Sequence, residues 1–371
     1  MKRIFILFLA LVIICFNVVN TKAQVSVSAN SAIVIDCASK RVLFEKNAYT
    51  KRGMASTTKI MTALICIEKL DFDEIVTVSP HAAGTEGSSI WLSPGEKISV
   101  EDLLYGLLLS SGNDAATALA EHTAGSVAAF VQLMNRRARD IGAYNTNFTN
   151  PHGLPDDNHY TTAYDLAIIT AEAMNNERFS QIVATKNKTI SWEGSQWDRS
   201  LSNHNKLLKM YDAATGVKTG FTKKDGRCLV SAAEKNGIRL VGVTLSAPDD
   251  WNDHINMLNY CYEKYQPYTV CTKGESAGIF ADKTNNAEDI ALVFKSDYIT
   301  VLNSDEQEKI STKKVLKVNY PVFKGDTVGR CDVYLSENLI GSVDIIAAND
   351  SDIKNDFLTV FIKLAKGILK T

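Results

Sequence analysis

The chain carries the stretch MASTTKIMTA at residues 54–63, where small residues lead into an apolar run that predicts a helix from Ala55 to Leu70. Ser56 and Lys59 lie three residues apart near the start of this helix, so their side chains share one face. A serine hydroxyl is a weak nucleophile until a base removes its proton, and a partly desolvated lysine amine can be that base. The stretch therefore predicts a serine nucleophile beside its general base.

Two further motifs make this pair specific. The Ser-x-x-Lys pattern also occurs at residues 311–314 and 351–354, where we expect solvated surface, and Ser-x-Asn occurs three times. Lys-Thr-Gly, in contrast, occurs once. Only one ordered combination uses all three patterns, and its members are Ser56/Lys59, Ser111/Asn113 and Lys218/Thr219/Gly220. They fall at a helix start, in a loop between helices and in a strand.

This ordered combination is the active-site signature of penicillin-recognising enzymes. The sequence around each motif resembles that of low-molecular-weight serine D-alanyl-D-alanine carboxypeptidases, which are penicillin-binding proteins of the peptidase S11 type. The segments that carry the resemblance are MASTTKIMTA (54–63), LLLSSGNDAA (107–116), NPHGLP (150–155) and GVKTGFT (216–222). The resemblance extends from about Ser31 to Tyr265.

The resemblance implies a reaction and three catalytic residues. The enzyme would remove the terminal D-alanine from peptidoglycan stem pentapeptides through an acyl-enzyme on Ser56, and β-lactams would inhibit it by acylating the same serine. Lys59 would be the general base, and Ser111 would relay a proton to the leaving D-alanine. No metal or other cofactor is expected.

The resemblance also implies a set of substrate-binding residues, which are Asn113, Lys218, Thr219, Gly220 and Phe221. Asn113 would bind the peptide amide, and Thr219 would contact the terminal carboxylate. The main-chain N–H groups of Ser56 and Phe221 would form the oxyanion hole. His152 is expected to be a structural residue of its loop.

One departure from the family pattern concerns the substrate carboxylate. Residues 247–250 read APDD where some family members carry a basic residue near that carboxylate. Its binding would then rest on Lys218 and Thr219. Arg227 is a further candidate, and a solvated strand arginine is the alternative interpretation.

Two other functions remain as alternatives. Class A β-lactamases share Ser-x-x-Lys and Lys-Thr-Gly, but their second motif is Ser-Asp-Asn and a further glutamate hydrolyses the acyl-enzyme. In this chain the middle residue is Gly112, and the segment HGL at residues 152–154 replaces the expected carboxylate loop. A non-catalytic β-lactam-binding or peptidoglycan-binding protein is the other alternative. Its nucleophile and base would be free to change, and both are intact here.

The order of predicted elements indicates an α+β fold of the β-lactamase/transpeptidase type. Strands between Ser31 and Glu45 and between Gly216 and Leu245 enclose a run of helices. This order is expected when N- and C-terminal strands complete one antiparallel sheet that helices cover. We assign residues 24–267 to this catalytic domain.

The rest of the chain predicts a small all-β domain at residues 268–347 and an amphipathic C-terminal helix at residues 348–371. The predicted strands of the β domain are residues 290–294, 298–302, 315–320, 333–335 and 339–345. Apolar side chains fall on one face of residues 357–369, with lysines off that face. Such a helix lies on membranes, so we expect peripheral membrane contact; packing on the β domain is the alternative.

The N-terminus has the layout of a secretory signal peptide at residues 1–23. Lys2 and Arg3 precede an apolar run, and small residues at positions 21 and 23 suit cleavage after Ala23. An uncleaved membrane anchor is the alternative. We therefore expect an exported protein at the outer face of the cytoplasmic membrane or in the cell wall. The formal net charge of −2 gives no electrostatic reason to expect nucleic acid as a partner, and the scattered cysteines are expected to be mostly free thiols.

Overall fold

The structure is a computed structural model, and it describes residues 25–281 and 287–352. The strands in chain order are β1 (Ser31–Asp36), β2 (Val42–Lys46), β3 (Ile75–Thr77), β4 (Lys97–Ser99), β5 (Asn187–Ile190), β6 (Arg199–Ser202), β7 (Ala214–Thr222), β8 (Gly226–Lys235), β9 (Ile238–Leu245), β10 (Gln266–Cys271), β11 (Ser276–Phe280), β12 (Ile290–Phe294), β13 (Tyr298–Leu302), β14 (Ile310–Leu316), β15 (Thr327–Leu335) and β16 (Asn338–Ala347). The helices are α1 (Lys59–Lys69), α2 (Pro80–Ala83), α3 (Val100–Leu108), α4 (Asn113–Ala124), α5 (Val127–Ile141), α6 (Ala163–Met174), α7 (Glu177–Ala184), α8 (Leu207–Met210), α9 (Asp250–Lys264) and α10 (Ser304–Gln307).

A five-stranded antiparallel sheet forms the centre of the first domain, in the order β2-β1-β9-β8-β7. Strand β1 pairs with β9 from Ser31↔Leu245 to Asp36↔Leu240, so the two ends of the domain meet in this sheet. All six residues of β1 are buried, because α6 packs on one face of the sheet and α9 on the other. This arrangement confirms the predicted α+β transpeptidase-like fold.

Helix α1 runs through the larger core and carries the residues that follow the nucleophile. Its residues from Lys59 to Cys66 are all buried. The apolar ones pack against α4 and α6, and they belong to the same buried cluster as Ile33 and Ile35 of β1. Full burial of a leucine or isoleucine side chain contributes about 1.5–3 kcal/mol. The helix is therefore held on several sides, which fixes the position of the site at its start.

A small β domain follows the first domain, as predicted. Its main sheet has the order β11-β12-β16-β15-β14, and β10 pairs separately with β13. The predicted strands at residues 290–294 and 298–302 are observed with those bounds. Strand β10 crosses the predicted domain limit at residue 267. Ser351 pairs with Val322, so residues up to 351 continue the β domain instead of beginning a helix at 348.

The predicted strand at residues 315–320 is wrong. The strand in this region is β14, Ile310–Leu316, and residues 317–320 lie beyond its end. Because β14 is the outer strand of its sheet and its central residues are exposed, it lacks the alternating apolar pattern that would mark it in a sequence. Strands β10 and β11 have no counterpart among the predicted strands for the same reason, since most of their residues are exposed or half-buried.

Polar and apolar contacts join the two domains. Arg41 donates a hydrogen bond to the carbonyl oxygen of Val301 and forms an ion pair with Glu306. Val301 also packs with Leu43 and Tyr265 in a second apolar cluster. Strand β13 of the small domain is thereby tied to the first domain.

Two predictions fall outside the described residues, namely the signal peptide at 1–23 and the amphipathic stretch at 357–369. Within residues 25–281 and 287–352, no helix has the length and apolar character needed to cross a membrane. The six cysteines of these ranges are all buried, and none is bonded to another.

Candidate active site

The serine of the first motif lies on a tight turn ahead of α1. Residues Ala55–Thr58 form a 3-10 turn, and Ala55 has a φ of +46°. The hydroxyls of Thr57 and Thr58 donate to the carbonyl oxygens of Met54 (2.6 Å) and Ala55 (2.8 Å). A left-handed φ costs a non-glycine residue roughly 1–2 kcal/mol, so these contacts are needed to hold the turn. The predicted helix from Ala55 therefore begins as α-helix only at Lys59, and Ser56 stays half-buried on the turn.

The Lys59 amine lies at the centre of the site. Its Nζ is 3.0 Å from Ser56 Oγ, 2.6 Å from Asn113 Oδ1 and 2.8 Å from the carbonyl oxygen of His152. Asn113 Nδ2 donates to the carbonyl oxygen of Glu86 at 2.6 Å, which orients the amide with Oδ1 toward Lys59. Both oxygens beside Lys59 only accept hydrogen bonds, so two amine protons are committed to Asn113 and His152. A neutral amine then presents its lone pair to the Ser56 hydroxyl.

The surroundings of Lys59 favour the neutral amine. Burial lowers the pKa of Lys59 well below its usual value, and the nearby Lys218 cation lowers it further, while the Asp114 carboxylate opposes both effects. Burial also lowers the pKa of Lys218, to about 7. Since Lys59 is within hydrogen-bond distance of Ser56, it can accept the hydroxyl proton as the serine attacks.

The third motif brings an edge strand to the nucleophile. Strand β7 is the outer strand of the large sheet, and a Cβ added to its Gly220 would lie 3.0 Å from Ser56 N. Lys218 is buried, and its Nζ donates to the carbonyl oxygen of Thr219 at 2.9 Å. Phe221, in contrast, is 65% exposed. The free edge of a sheet carries unpaired N–H and C=O groups, so β7 can offer main-chain donors beside Ser56.

One cleft of about 380 Å³ brings the motifs together. The motif residues that line it are Ser56, Ser111, Thr219, Gly220 and Phe221. Lys59, Asn113 and Lys218 are buried. Ser111 stands in the loop between α3 and α4 with a φ of +62°, a strained conformation of the kind found at functional sites. All residues assigned from the sequence are thus collected in or beside one site.

Several cleft residues were not assigned from the sequence, and they are Ser88, His204, Lys206, Asp250 and Trp251. Only Asp250 carried a signal, since it stands where a basic residue was expected. Arg227, which the sequence left between two interpretations, also lines the cleft. Asn113, which is predicted to bind the peptide amide, also accepts a hydrogen bond from Lys59 and donates one to the carbonyl oxygen of Glu86, so it helps to position the base.

His159 supports the nucleophile turn through a hydrogen bond with Thr58. The main-chain N–H of Thr149 donates to His159 Nδ1 at 3.0 Å, so the ring proton resides on Nε2, which is 2.8 Å from Thr58 Oγ1. Burial lowers the pKa of His159 to about 4 and that of His152 to about 3, so both rings are neutral near pH 7. His152 contributes its main-chain oxygen to Lys59, in keeping with the structural role predicted for it.

Gly153 leaves no space for a side chain beside the nucleophile. Its φ is +91°, and a Cβ there would lie 1.9 Å from the carbonyl oxygen of Ala55 and 2.9 Å from Ser56 N. These neighbours are backbone atoms, so a rotamer change cannot relieve the contact. We expect G153A to displace the turn and to lower the rate of acylation by a labelled penicillin about a hundredfold, because a small misplacement of a reacting group has that effect.

The matched control is G142A. Gly142 has a similar φ of +94°, but a Cβ added there would meet nothing within 4 Å. Both variants therefore carry the cost of a left-handed alanine, and only G153A disturbs the site. Acylation rates and thermal unfolding would be measured for both proteins. Equal acylation rates in the two variants would contradict the prediction.

Acyl transfer through a serine requires a nucleophile, a neutral base and donors for the oxyanion, and this cleft provides candidates for all three. With Lys-Thr-Gly on the edge strand, the arrangement defines the class of penicillin-recognising serine enzymes. Residues 18–249 match the sequence profile of Peptidase_S11, D-alanyl-D-alanine carboxypeptidase, and residues 265–352 match that of the C-terminal domain of penicillin-binding protein 5. The chain belongs to the peptidase S11 family of D-alanyl-D-alanine carboxypeptidases.

Individual relatives support this membership over both domains. D-alanyl-D-alanine carboxypeptidase DacF of Bacillus subtilis is 32% identical over 357 residues, which cover 93% of this chain and 91% of DacF. A D-alanyl-D-alanine carboxypeptidase of Streptomyces sp. strain K15 is 37% identical over 237 residues, 59% of this chain and 81% of that protein. The crystal structure of penicillin binding protein 5 from Haemophilus influenzae matches with a TM-score of 0.74 at 28% identity, over 89% of this chain and 99% of that one.

Proposed function

We propose that Ser56 is the nucleophile of the D-Ala-D-Ala carboxypeptidase reaction and that Lys59 is its general base. The observation that carries the proposal is the Lys59 amine, which commits two protons to Asn113 and His152 and faces Ser56 Oγ at 3.0 Å. The substrates of the enzyme are the stem peptides of peptidoglycan, in which the terminal residue is D-alanine. Depression of the Lys59 pKa by burial supplies the neutral amine that a base must have.

The reaction proceeds in two stages. Ser56 Oγ attacks the carbonyl carbon of the penultimate D-alanine, and its proton passes to Lys59 Nζ. The peptide bond to the terminal D-alanine then breaks, and the nitrogen of the leaving D-alanine receives a proton through Ser111. The shortened peptide remains attached to Ser56 as an ester. Water hydrolyses this ester and restores the serine hydroxyl.

The remaining motif residues bind the substrate. The main-chain N–H groups of Ser56 and Phe221 form the oxyanion hole, where each donor contributes on the order of 3 kcal/mol. Gly220 allows the edge strand to lie against the nucleophile turn, because a Cβ there would be 3.0 Å from Ser56 N. Thr219 contacts the terminal carboxylate, and Asn113 binds the peptide amide in addition to orienting Lys59. Lys218 adds positive charge when protonated.

Release of D-alanine tests the proposal. The protein from residue 24 to 371 is incubated with a peptide that ends in D-Ala-D-Ala, and penicillin hydrolysis is followed in parallel. We expect D-alanine release and slow loss of the penicilloyl ester, because a β-lactam acylates the same serine. Rapid penicillin turnover without D-alanine release would support a class A-like β-lactamase. Absence of both D-alanine release and penicillin hydrolysis would support a non-catalytic binding protein.

We also propose that the protein is exported and that its C-terminal stretch contacts the membrane surface. The support is the signal-peptide layout of residues 1–23 and the basic amphipathic pattern of residues 357–369. Removal of residues 353–371 keeps the pairing of Ser351 with Val322. The shortened protein should release D-alanine at an unchanged rate and should no longer sediment with anionic vesicles. Equal sedimentation of both proteins would overturn the membrane proposal.

The chain is proposed to work as a catalytic domain that ends near residue 265 and a β domain that follows it. Strand β10 supports this limit, because it pairs with β13 of the small domain. The β-domain profile begins at the same place, at residue 265.

A further inference from the structure

A carboxypeptidase must recognise the free carboxylate at the end of its substrate, and this chain has no basic residue directly after the last strand of its large sheet. Residues 247–250 read APDD after the last strand of the large sheet. Thr219 can give the carboxylate one hydroxyl donor, but a charged partner makes a stronger hydrogen bond. A cation elsewhere on the cleft wall is therefore needed to bind the carboxylate.

Arg227 lies on the wall of this cleft. It pairs directly with Phe221 across strands β7 and β8, so the two side chains leave the same face of the sheet with Cβ atoms about 5 Å apart. Thr219 stands two residues from Phe221 on the same strand and shares that face. Ser56, Thr219 and Arg227 all line the one cleft. The guanidinium is therefore on the same side of the sheet as the residue expected to contact the substrate carboxylate.

Asp250 orients the guanidinium of Arg227. Arg227 Nε and Nη2 both donate to Asp250 Oδ1, at 3.0 and 2.8 Å. The side chain of Asp250 is only 3% exposed, whereas that of Arg227 is 41% exposed, so a ligand in the cleft meets the cation and not the carboxylate. The Trp251 ring lies 5.6 Å from Arg227 Cζ and adds a second support. Among the residues that the structure describes, Arg227 Nη1 has no hydrogen-bond partner.

The other cations of the site are less suited to this role. Lys218 is buried, its Nζ donates to the carbonyl oxygen of Thr219, and its pKa of about 7 leaves it only partly charged at neutral pH. Lys206 is exposed, and no hydrogen bond orients its amine within the described ranges. Arginine stays charged at all relevant pH values, and its planar group matches a carboxylate with two parallel donors.

We propose that Arg227, oriented by Asp250, forms the subsite that binds the terminal α-carboxylate of the peptide and the corresponding carboxylate of a β-lactam. This inference rests on the proposed carboxypeptidase function and adds a residue that determines its specificity. The subsite selects a free chain end over a substrate whose carboxyl group is blocked. Asp250 is a positioning residue, because it acts only through Arg227.

The test compares two peptides that end in D-Ala-D-Ala, one with a free carboxylate and one with a C-terminal amide. The measured quantity is the ratio of kcat/KM for the acid over kcat/KM for the amide. R227Q should lower this ratio about tenfold to a hundredfold, the range expected when a charged hydrogen bond is lost. R227K should fall between R227Q and the unaltered protein, since it keeps the charge but not the planar pair of donors.

The matched control is K206Q, which also removes one positive charge from the cleft wall. Its ratio should stay within about twofold of the unaltered protein, because an exposed lysine contributes little. D250A should lower the ratio because Arg227 is no longer oriented. D250N should keep most of the ratio, since the asparagine Oδ1 can still accept hydrogen bonds from Arg227. An unchanged ratio in R227Q, or an equal fall in K206Q, would overturn the proposal.

A second measurement separates this proposal from the proposed function. Acylation rates are compared for benzylpenicillin and for its methyl ester, in which the carboxylate is blocked. R227Q should lose the preference for the free acid here as well, whether or not D-alanine is released from peptides. Absence of D-alanine release from the unaltered protein would therefore contradict the proposed function alone. If R227Q unfolds because it leaves Asp250 unpaired, the double variant R227Q/D250N is measured in both assays instead.

Discussion

The variant S56A should release D-alanine from a D-Ala-D-Ala peptide at least about a thousandfold more slowly than the unaltered protein, since loss of a serine nucleophile removes the covalent route entirely. Its hydroxyl is the group that the Lys59 amine faces at 3.0 Å. The variant should also form no stable adduct with a labelled penicillin, because the ester is made on the same oxygen. Thermal unfolding should change little, since Ser56 is half-buried and its side chain has one hydrogen-bond partner among the described residues.

The chain offers a matched control for S56A in the other Ser-x-x-Lys pattern that the structure describes. Ser311 lies in strand β14, where side chains alternate between faces, so Lys314 points away from it. S311A should keep full activity and full penicillin labelling. Residual labelling of S56A at the level of the unaltered protein would show that another residue carries the acyl group.

The variant K59M should lower the rate of acylation about a hundredfold to ten-thousandfold, the range that a general base contributes. Methionine fills a similar volume in the core but has no basic nitrogen, so the variant loses the proton acceptor together with the hydrogen bonds that Lys59 donates to Asn113 and His152. The exposed Lys224 at the β7–β8 turn gives the matched control, because it pairs with Asp157 at the surface. K224M should therefore react like the unaltered protein. Equal rates for K59M and K224M would rule out Lys59 as the base.

The pH dependence of acylation follows from the same lysine. Lys59 acts as a neutral amine, so activity is present above its pKa in the folded protein and is lost as the pH falls through that value. The Lys218 cation is one cause of the depressed Lys59 pKa. Removing it in K218M should raise the Lys59 pKa and shift the acid limb of the rate profile to higher pH. A shift to lower pH would contradict this electrostatic assignment.

The sequence was sufficient for the outline of the site. Ser56 and Lys59 are related by helical spacing, and the Lys-Thr-Gly strand occurs once, so their association required no coordinates. The spacing could not show that Asn113 and His152 would accept the two other protons of the Lys59 amine. These contacts join residues 54 and 93 positions apart along the chain, and local pattern carries no information about them. The contribution of Asn113 to positioning Lys59 could not be predicted for that reason.

The residues of the cleft wall are a second case in which sequence patterns could not predict a contact. Arg227 and Asp250 belong to different elements, and each has an ordinary interpretation in the sequence, one as a strand arginine and the other as an acidic residue near a helix start. Only the register that places Arg227 opposite Phe221, together with the ion pair to Asp250, makes them a pair at the site. Strand positions were predictable in the large sheet because its strands are mostly buried and apolar, and the prediction failed at β14, which is neither.

The polar character of β14 has a consequence for how copies of this protein behave side by side. An open strand at the rim of a sheet is a template on which a neighbouring chain can add, which leads to aggregation. Here the rim strand bears adjacent lysines, Lys313 and Lys314, and all five of its central residues are exposed. Charge repulsion and the cost of desolvating these amines oppose strand addition from another copy. The charged residues that obscure this strand in the sequence therefore also oppose edge-to-edge association of its sheet.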